Sequence, residues 1–90
     1  MNWKLFADLA EVAGERHLEV ETEAETAGEA LDALLDAHPA LADRVLSESG
    51  GLADHVSLLR NGEDVDGARG LATPVSPDDD LALLPPVSGG

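Results

Sequence analysis

The stretch "TAGEALDALLDAHP" (Thr26–Pro39) decides how the rest of this chain is read. Thr26 followed three residues later by Glu29 is a capping box, in which each side chain satisfies an orphan amide at a helix start. Ala27, Ala30, Leu31, Leu34 and Leu35 then recur at helical spacing and form one apolar stripe. Pro39 cannot continue the helix and biases His38 toward an extended backbone. A helix with a single apolar stripe needs a surface to lie on, and the flanking segments supply one.

Upstream, "NWKLFA" alternates, with Trp3, Leu5 and Ala7 on one side and Asn2, Lys4 and Phe6 on the other, as a strand with one buried face does. "DLAEVAG" predicts a short helical turn closed by Gly14, a residue suited to a left-handed cap. "HLEVETE" alternates again and turns Leu18 and Val20 inward. The two strands are most easily joined as a broad antiparallel hairpin. Downstream, "ALADRVL" predicts a further turn or short helix through Leu41, Val45 and Leu46, and "SESGG" a loop. "HVSLLRNG" reads as a third strand with Val56 and Leu58 on one face, ending in the tight turn that Asn61-Gly62 favours. Residues 63–77 have no regular period. "DLALLPP" closes the order as a strand with Leu81 and Leu83 inward, stopped by Pro85 and Pro86, which lack amide donors. Strand, strand, helix, strand, irregular segment, strand describes an α+β fold with one main helix packed on one side of a mixed sheet. A last strand emerging beside the first would put a parallel pair at its centre.

Ninety residues are enough for one domain with one modest core, burying roughly 60–65% of the unfolded chain's surface. Trp3 and Phe6 are the only aromatic residues, so that core is aliphatic. Nineteen acidic residues against five basic ones give a net charge of −14, and the acids are spread along the chain as a solvated surface. Such a surface repels nucleic-acid phosphates and anionic lipids, which excludes both as partners. An acid excess with Lys4 as the only lysine points to a high-salt cytoplasm, where screening suppresses self-repulsion. The absence of cysteine excludes disulfides, thiolate metal sites and a thiol nucleophile of the chain's own. No apolar run approaches the ~20 residues of a membrane span, so a soluble, cytoplasmic protein is expected.

Other features weigh less. His17, His38 and His55 have no ligand spacing, and "DVDG" lacks the acids that complete a calcium cage, so no metal site is expected. Nearly every carboxylate falls at a solvent position, without the setting of a general acid or base. Arg60 and Asn61 could assist a partner, although the turn alone accounts for Asn61-Gly62.

"KLFADLAEVAG", "TAGEALDALLDAHPAL" and the final "LALLPPVSGG" together resemble the MoaD-like branch of the ubiquitin-like β-grasp family, which includes the small subunit of molybdopterin synthase and the small archaeal modifier proteins. The resemblance covers most of the chain and is weakest over residues 63–77. It implies a β-grasp domain over residues 1–86 and an extended reactive tail over 87–90. It also implies that Gly90 is a substrate rather than a catalyst: its carboxylate is adenylated by an E1-like enzyme, which uses the ATP, while the chain itself binds no cofactor. The activated Gly90 is then converted to a thiocarboxylate for sulfur transfer to a molybdopterin precursor or a tRNA base, or is joined by an isopeptide bond to a target lysine. The implied partners are the E1-like enzyme, the molybdopterin synthase large subunit, target-protein lysines and a deconjugating protease.

The tail suits that chemistry physically. Gly89 and Gly90 have no Cβ and can thread a narrow channel behind Val87 and Ser88, while Pro85 and Pro86 stiffen the exit. Phe6, Ala82 and Leu84 fall on the face opposite the core and, with Pro85 and Pro86, form the candidate partner interface. Lys4, on the same face, is a candidate acceptor for a second copy's Gly90. Where the family has a Gly-Asp-acidic turn before the last strand, this chain has Asp78-Asp79-Asp80, and aspartate is expected to tolerate the left-handed backbone there. A plain acidic interaction domain that is never conjugated is the competing reading.

Overall fold

The computed structural model describes residues 1–53 and 56–85. Strand β1 (Asn2–Leu5) is followed by helix α1 (Asp8–Ala13), strand β2 (His17–Glu19) and the main helix α2 (Ala27–Ala37). A 3₁₀ turn (Pro39–Leu41) leads into the short helix α3 (Ala42–Val45). Strands β3 (Ser57–Arg60) and β4 (Glu63–Asp64), two further 3₁₀ turns (Val65–Gly67 and Gly70–Ala72) and strand β5 (Asp80–Leu84) complete the order.

The five strands form one sheet in the order β2-β1-β5-β3-β4. Strands β1 and β2 pair antiparallel, Trp3 opposite Leu18, as the hairpin reading requires. Strands β1 and β5 pair parallel at the centre, Trp3 opposite Leu81 and Leu5 opposite Leu83. This is the β-grasp arrangement that the resemblance implies. Alternation along the central strands sends Trp3, Leu5, Leu58, Leu81 and Leu83 to one face, where all are buried. Against them lies the stripe of α2, and its five residues, Ala27, Ala30, Leu31, Leu34 and Leu35, are all buried. Burying a leucine of this kind is worth about 1.5–3 kcal/mol, so the pairing of stripe and sheet is the largest stabilising feature of the fold.

The capping box forms with one variation. The Glu29 amide donates to Thr26 Oγ1 at 3.2 Å, but the Glu29 carboxylate reaches one residue further back than the usual box and accepts from the Glu25 amide at 2.9 Å. The irregular stretch after β4 is also explained here. It docks on the start of α2, where the Ala27 amide donates to Thr73 O and the Val75 amide to Glu25 O. Gly28 permits this approach, because a Cβ there would lie 3.2 Å from the Leu71 carbonyl oxygen. These contacts are non-local and leave no period in the sequence. The sheet accordingly has five strands where four were expected, β4 being a two-residue strand set by the Asn61-Gly62 turn.

The first strand is shorter than its alternation suggests. Ala7 does not point inward: it is exposed, with φ 52° and ψ −131°, and turns the chain out of β1 into α1. Glycine favours such a backbone and alanine adopts it only with strain, whereas Gly14 takes its left-handed cap at φ 84° as expected. Replacing Ala7 by Gly should therefore stabilise the fold by about 1 kcal/mol. Urea unfolding followed by the fluorescence of Trp3, which is buried and the only tryptophan, measures this directly; an unchanged or lowered midpoint would mean that the Ala7 backbone carries no strain.

Candidate functional site

Three strands bring the candidate residues together on the sheet face away from α2. Register places Lys4 of β1 between His17 of β2 and Ala82 of β5, with Leu59 of β3 next to Ala82. These side chains, with Phe6, Asn2, Glu19 and Asp80, line a groove of about 650 Å³. Phe6 is the one exposed large hydrophobic residue among those described, at 37% exposure. Its ring lies under the Lys4 ammonium, 6.0 Å from Nζ to the ring centroid, at the outer limit of a cation–π contact. Charge is graded along β5 from Asp80, which accepts from Asn2 Nδ2 at 3.4 Å, through Ala82 to Leu84.

The structure thus collects Phe6, Ala82 and Lys4 around one groove. Leu84 and Pro85 are half-buried and lie beyond its lining. Pro86, Val87, Ser88, Gly89 and Gly90 lie outside the described residues, as does the expected boundary between domain and tail. His55 does too, while His17 and His38 sit on separate elements. Among the described residues no group of three or more histidine, aspartate or glutamate side chains is placed to hold a metal ion, and no helix is long and apolar enough to cross a membrane.

The turn before β5 departs from expectation. Among the described non-glycine residues only Ala7 and Asn61 have positive φ, so Asp78, Asp79 and Asp80 do not adopt a left-handed backbone. Instead Asp79 is buried and acts as a clamp. Its Oδ2 accepts from the Ser76 amide at 2.8 Å and from Arg60 Nε at 2.8 Å, and its Oδ1 accepts from Asn61 Nδ2 at 3.0 Å. Asn61 in turn accepts from the Asp80 amide at 2.9 Å through Oδ1. Arg60 and Asn61, which could have served a partner, are thus engaged within the fold, tying the turn after β3 to the start of β5. The general reading of the acids as solvated fails at Asp79 because its partners lie 18 and 19 residues away in sequence. The one available signal was a charged Arg60 beside a turn asparagine.

The Ser76 amide is the largest influence on the Asp79 carboxyl. Burial opposes it, but Asn61 and Arg60 add to it, and the pKa falls from 3.8 to about 2. A carboxylate with a lowered folded-state pKa stabilises the fold fully above its unfolded value near pH 4, by about 2 kcal/mol here. That contribution is lost as pH falls from about 4 through 2. Asp79→Asn should therefore be less stable than the parent by about 2 kcal/mol at pH 7, with the gap closing between pH 4 and pH 2. A gap independent of pH in urea titrations would contradict this account of the clamp.

The geometry can be set beside known proteins. The ThiS family model matches residues 3–90. The chain is 55% identical to small archaeal modifier protein 1 of Haloferax volcanii over 91 aligned positions, covering all of both chains. It superposes on the crystal structure of that Haloferax protein with a TM-score of 0.88 at 54% identity, over 100% of this chain and 98% of the other. It also matches a chain of the Amycolatopsis orientalis BexX/CysO complex, with a TM-score of 0.85 at 28% identity over 99% and 98% of the two chains. A five-stranded β-grasp sheet and a match that runs through the last residue place this chain in the ThiS family, within the MoaD-like branch of ubiquitin-like proteins to which the small archaeal modifier proteins belong.

Proposed function

We propose that this chain is a protein substrate whose Gly90 carboxylate is adenylated by an E1-like enzyme and then used in acyl transfer. The observation that carries the reading is the course of β5. It runs through the centre of the sheet, parallel to β1, and carries the chain from Ala82 in the groove that holds Phe6 on to Pro85, with the rest of a sequence free of charged side chains from Leu81 to Gly90 still to come. Partner docking at that face and activation at the end of that segment then belong to one encounter.

A free carboxylate is a poor acyl donor, and the mixed anhydride with AMP supplies a leaving group. Attack by a partner's persulfide expels AMP and gives an acyl disulfide, which a second partner thiol cleaves to leave the thiocarboxylate and a partner disulfide; that sulfur then passes to a molybdopterin precursor with the large subunit of molybdopterin synthase, or to a tRNA base. Attack by a target lysine leads to an isopeptide bond, which a deconjugating protease reverses. The chain has no cysteine, so the sulfur nucleophile comes from elsewhere. The modifier name of the Haloferax relative supports the second fate, and the family match supports the first. The excess of acid over base and the Haloferax likeness support a high-salt cytoplasm.

Mass spectrometry of tagged protein from its own host tests the reading. The full chain should show a terminal oxygen-to-sulfur mass change, or branched peptides on target lysines, and a variant ending at Gly89 should show neither. Ser88→Arg makes the branched peptides readable, because trypsin then leaves a Gly-Gly mark. Absence of both products, with the shortened chain fully functional, would overturn the proposal and leave an acidic interaction domain. Phe6→Asp and Leu84→Asp should each lower the yield of either product while leaving the fold intact by circular dichroism; unchanged yields would remove the sheet face from the docking role.

A further inference from the structure

We propose that Asn61 is a modification site: it is where this chain deamidates, by ring closure onto Gly62, and the Asp79 clamp holds that reaction shut while the chain is folded. The proposal stands apart from the activation reading. The chain has only two side-chain amides, Asn2 and Asn61, and no glutamine. Asn2 precedes Trp3, whose side chain crowds attack by its own backbone nitrogen, whereas Asn61 precedes a residue with no Cβ. Asn61 and Gly62 are both exposed. Nothing lies within 4 Å of the place where a Cβ on Gly62 would stand. Water and the room for a succinimide ring are both at hand.

The step balances with water as the only co-reactant. The Gly62 backbone nitrogen attacks Asn61 Cγ and gives up its proton. The new C–N bond forms, the bond from Cγ to Nδ2 breaks, and Nδ2 leaves as ammonia with that electron pair and the proton. Water then opens the ring. Attack at Cγ restores the Gly62 peptide and leaves an aspartate, while attack at the main-chain carbonyl carbon leaves an iso-aspartate, with the backbone routed through the side chain.

In the fold both ends of this amide are tied to the entry of β5. Asn61 Nδ2 donates to Asp79 Oδ1 at 3.0 Å, and Asn61 Oδ1 accepts from the Asp80 amide at 2.9 Å. The Asn61 backbone amide is held as well, donating to Asp80 O at 2.8 Å. Ring closure brings the face of Cγ onto the Gly62 nitrogen, which turns the side-chain amide out of both of its bonds. Asp79 is kept in place for this duty by the Ser76 amide and Arg60 Nε. Once the reaction has passed, the native arrangement is not recovered. An aspartate sets a second carboxylate against Asp79 where Nδ2 had donated, and like charges in contact oppose one another. An iso-aspartate also lengthens the main chain within the turn that pairs β4 with β3. The clamp that fixes the start of β5 therefore also sets how long the turn survives.

The test holds purified chain in mildly alkaline buffer made with oxygen-18 water, either folded or unfolded in guanidinium chloride, and then digests it in ordinary water. The tryptic peptide of residues 61–69 carries the heavy label only where deamidation preceded digestion. The folded chain should deamidate more slowly than the unfolded one by roughly tenfold or more, as two hydrogen bonds, one of them to a carboxylate, predict. Asp79→Ala, kept where Trp3 fluorescence shows it folded, should return most of that factor. Arg60→Gln, which removes one donor to Asp79 and leaves the bonds of Asn61 itself, should return part of it. Asn61→Asp should lower the urea midpoint. Equal rates in the folded and unfolded parent would overturn the protection, and no label in the unfolded chain would overturn the site. A folded Asp79→Ala chain as slow as the parent would overturn the role of Asp79. So would an equally slow Arg60→Gln chain, should the alanine variant not fold. An Asn61→Asp chain as stable as the parent would overturn the claim that the modified turn is lost.

Discussion

The parallel ladder between β1 and β5 is the constraint on which the rest of the molecule depends. It joins residues 2–5 to residues 80–83, nearly the full length of the chain apart. Because successive strand residues point to opposite faces, one pairing fixes two surfaces at once. Trp3, Leu5, Leu81 and Leu83 are committed to α2, and Lys4 and Ala82 are thereby committed to the outer groove. A slip of one residue would exchange the core for the site. The outer face therefore cannot drift independently of the core.

The start of that ladder is held by charge in a molecule that has little positive charge to use. Among the described residues, Arg44 pairs with Asp8 and Arg60 with Asp79. The first is half-exposed and is worth at most about 1 kcal/mol. The second is embedded in hydrogen bonds at the entry to β5, where it sets the strand's direction. The Asn61-Gly62 turn at φ 51° and 88° completes the arrangement by folding β4 back on β3.

Periodic features were legible in the sequence. The α2 stripe, the alternation of β5 and the Gly14 cap can each be read from local spacing, and all appear as read. So does the central parallel pair, given the order of elements. What was not legible depends on contacts between distant segments. The docking of residues 70–75 on α2 relies on Gly28 and on backbone carbonyls, which leave no side-chain pattern. The burial of Asp79 depends on Arg60 and Asn61 across a turn. Ala7 misled because alternation continued through it, while its backbone is set by the need to redirect the chain. In the candidate site, Phe6, Ala82 and Lys4 were legible as one outward face. The groove that also includes His17 and Leu59 follows from register, which only the folded sheet supplies.

The central claim is that this fold delivers one carboxylate, that of Gly90, to another protein's ATP. Exchange of labelled pyrophosphate into ATP by an E1-like adenylating enzyme from the same cell reads that event before any later fate intervenes. The account predicts exchange that depends on the full chain and vanishes when the chain ends at Gly89. Equal exchange with both chains, or none with the full one, would contradict it.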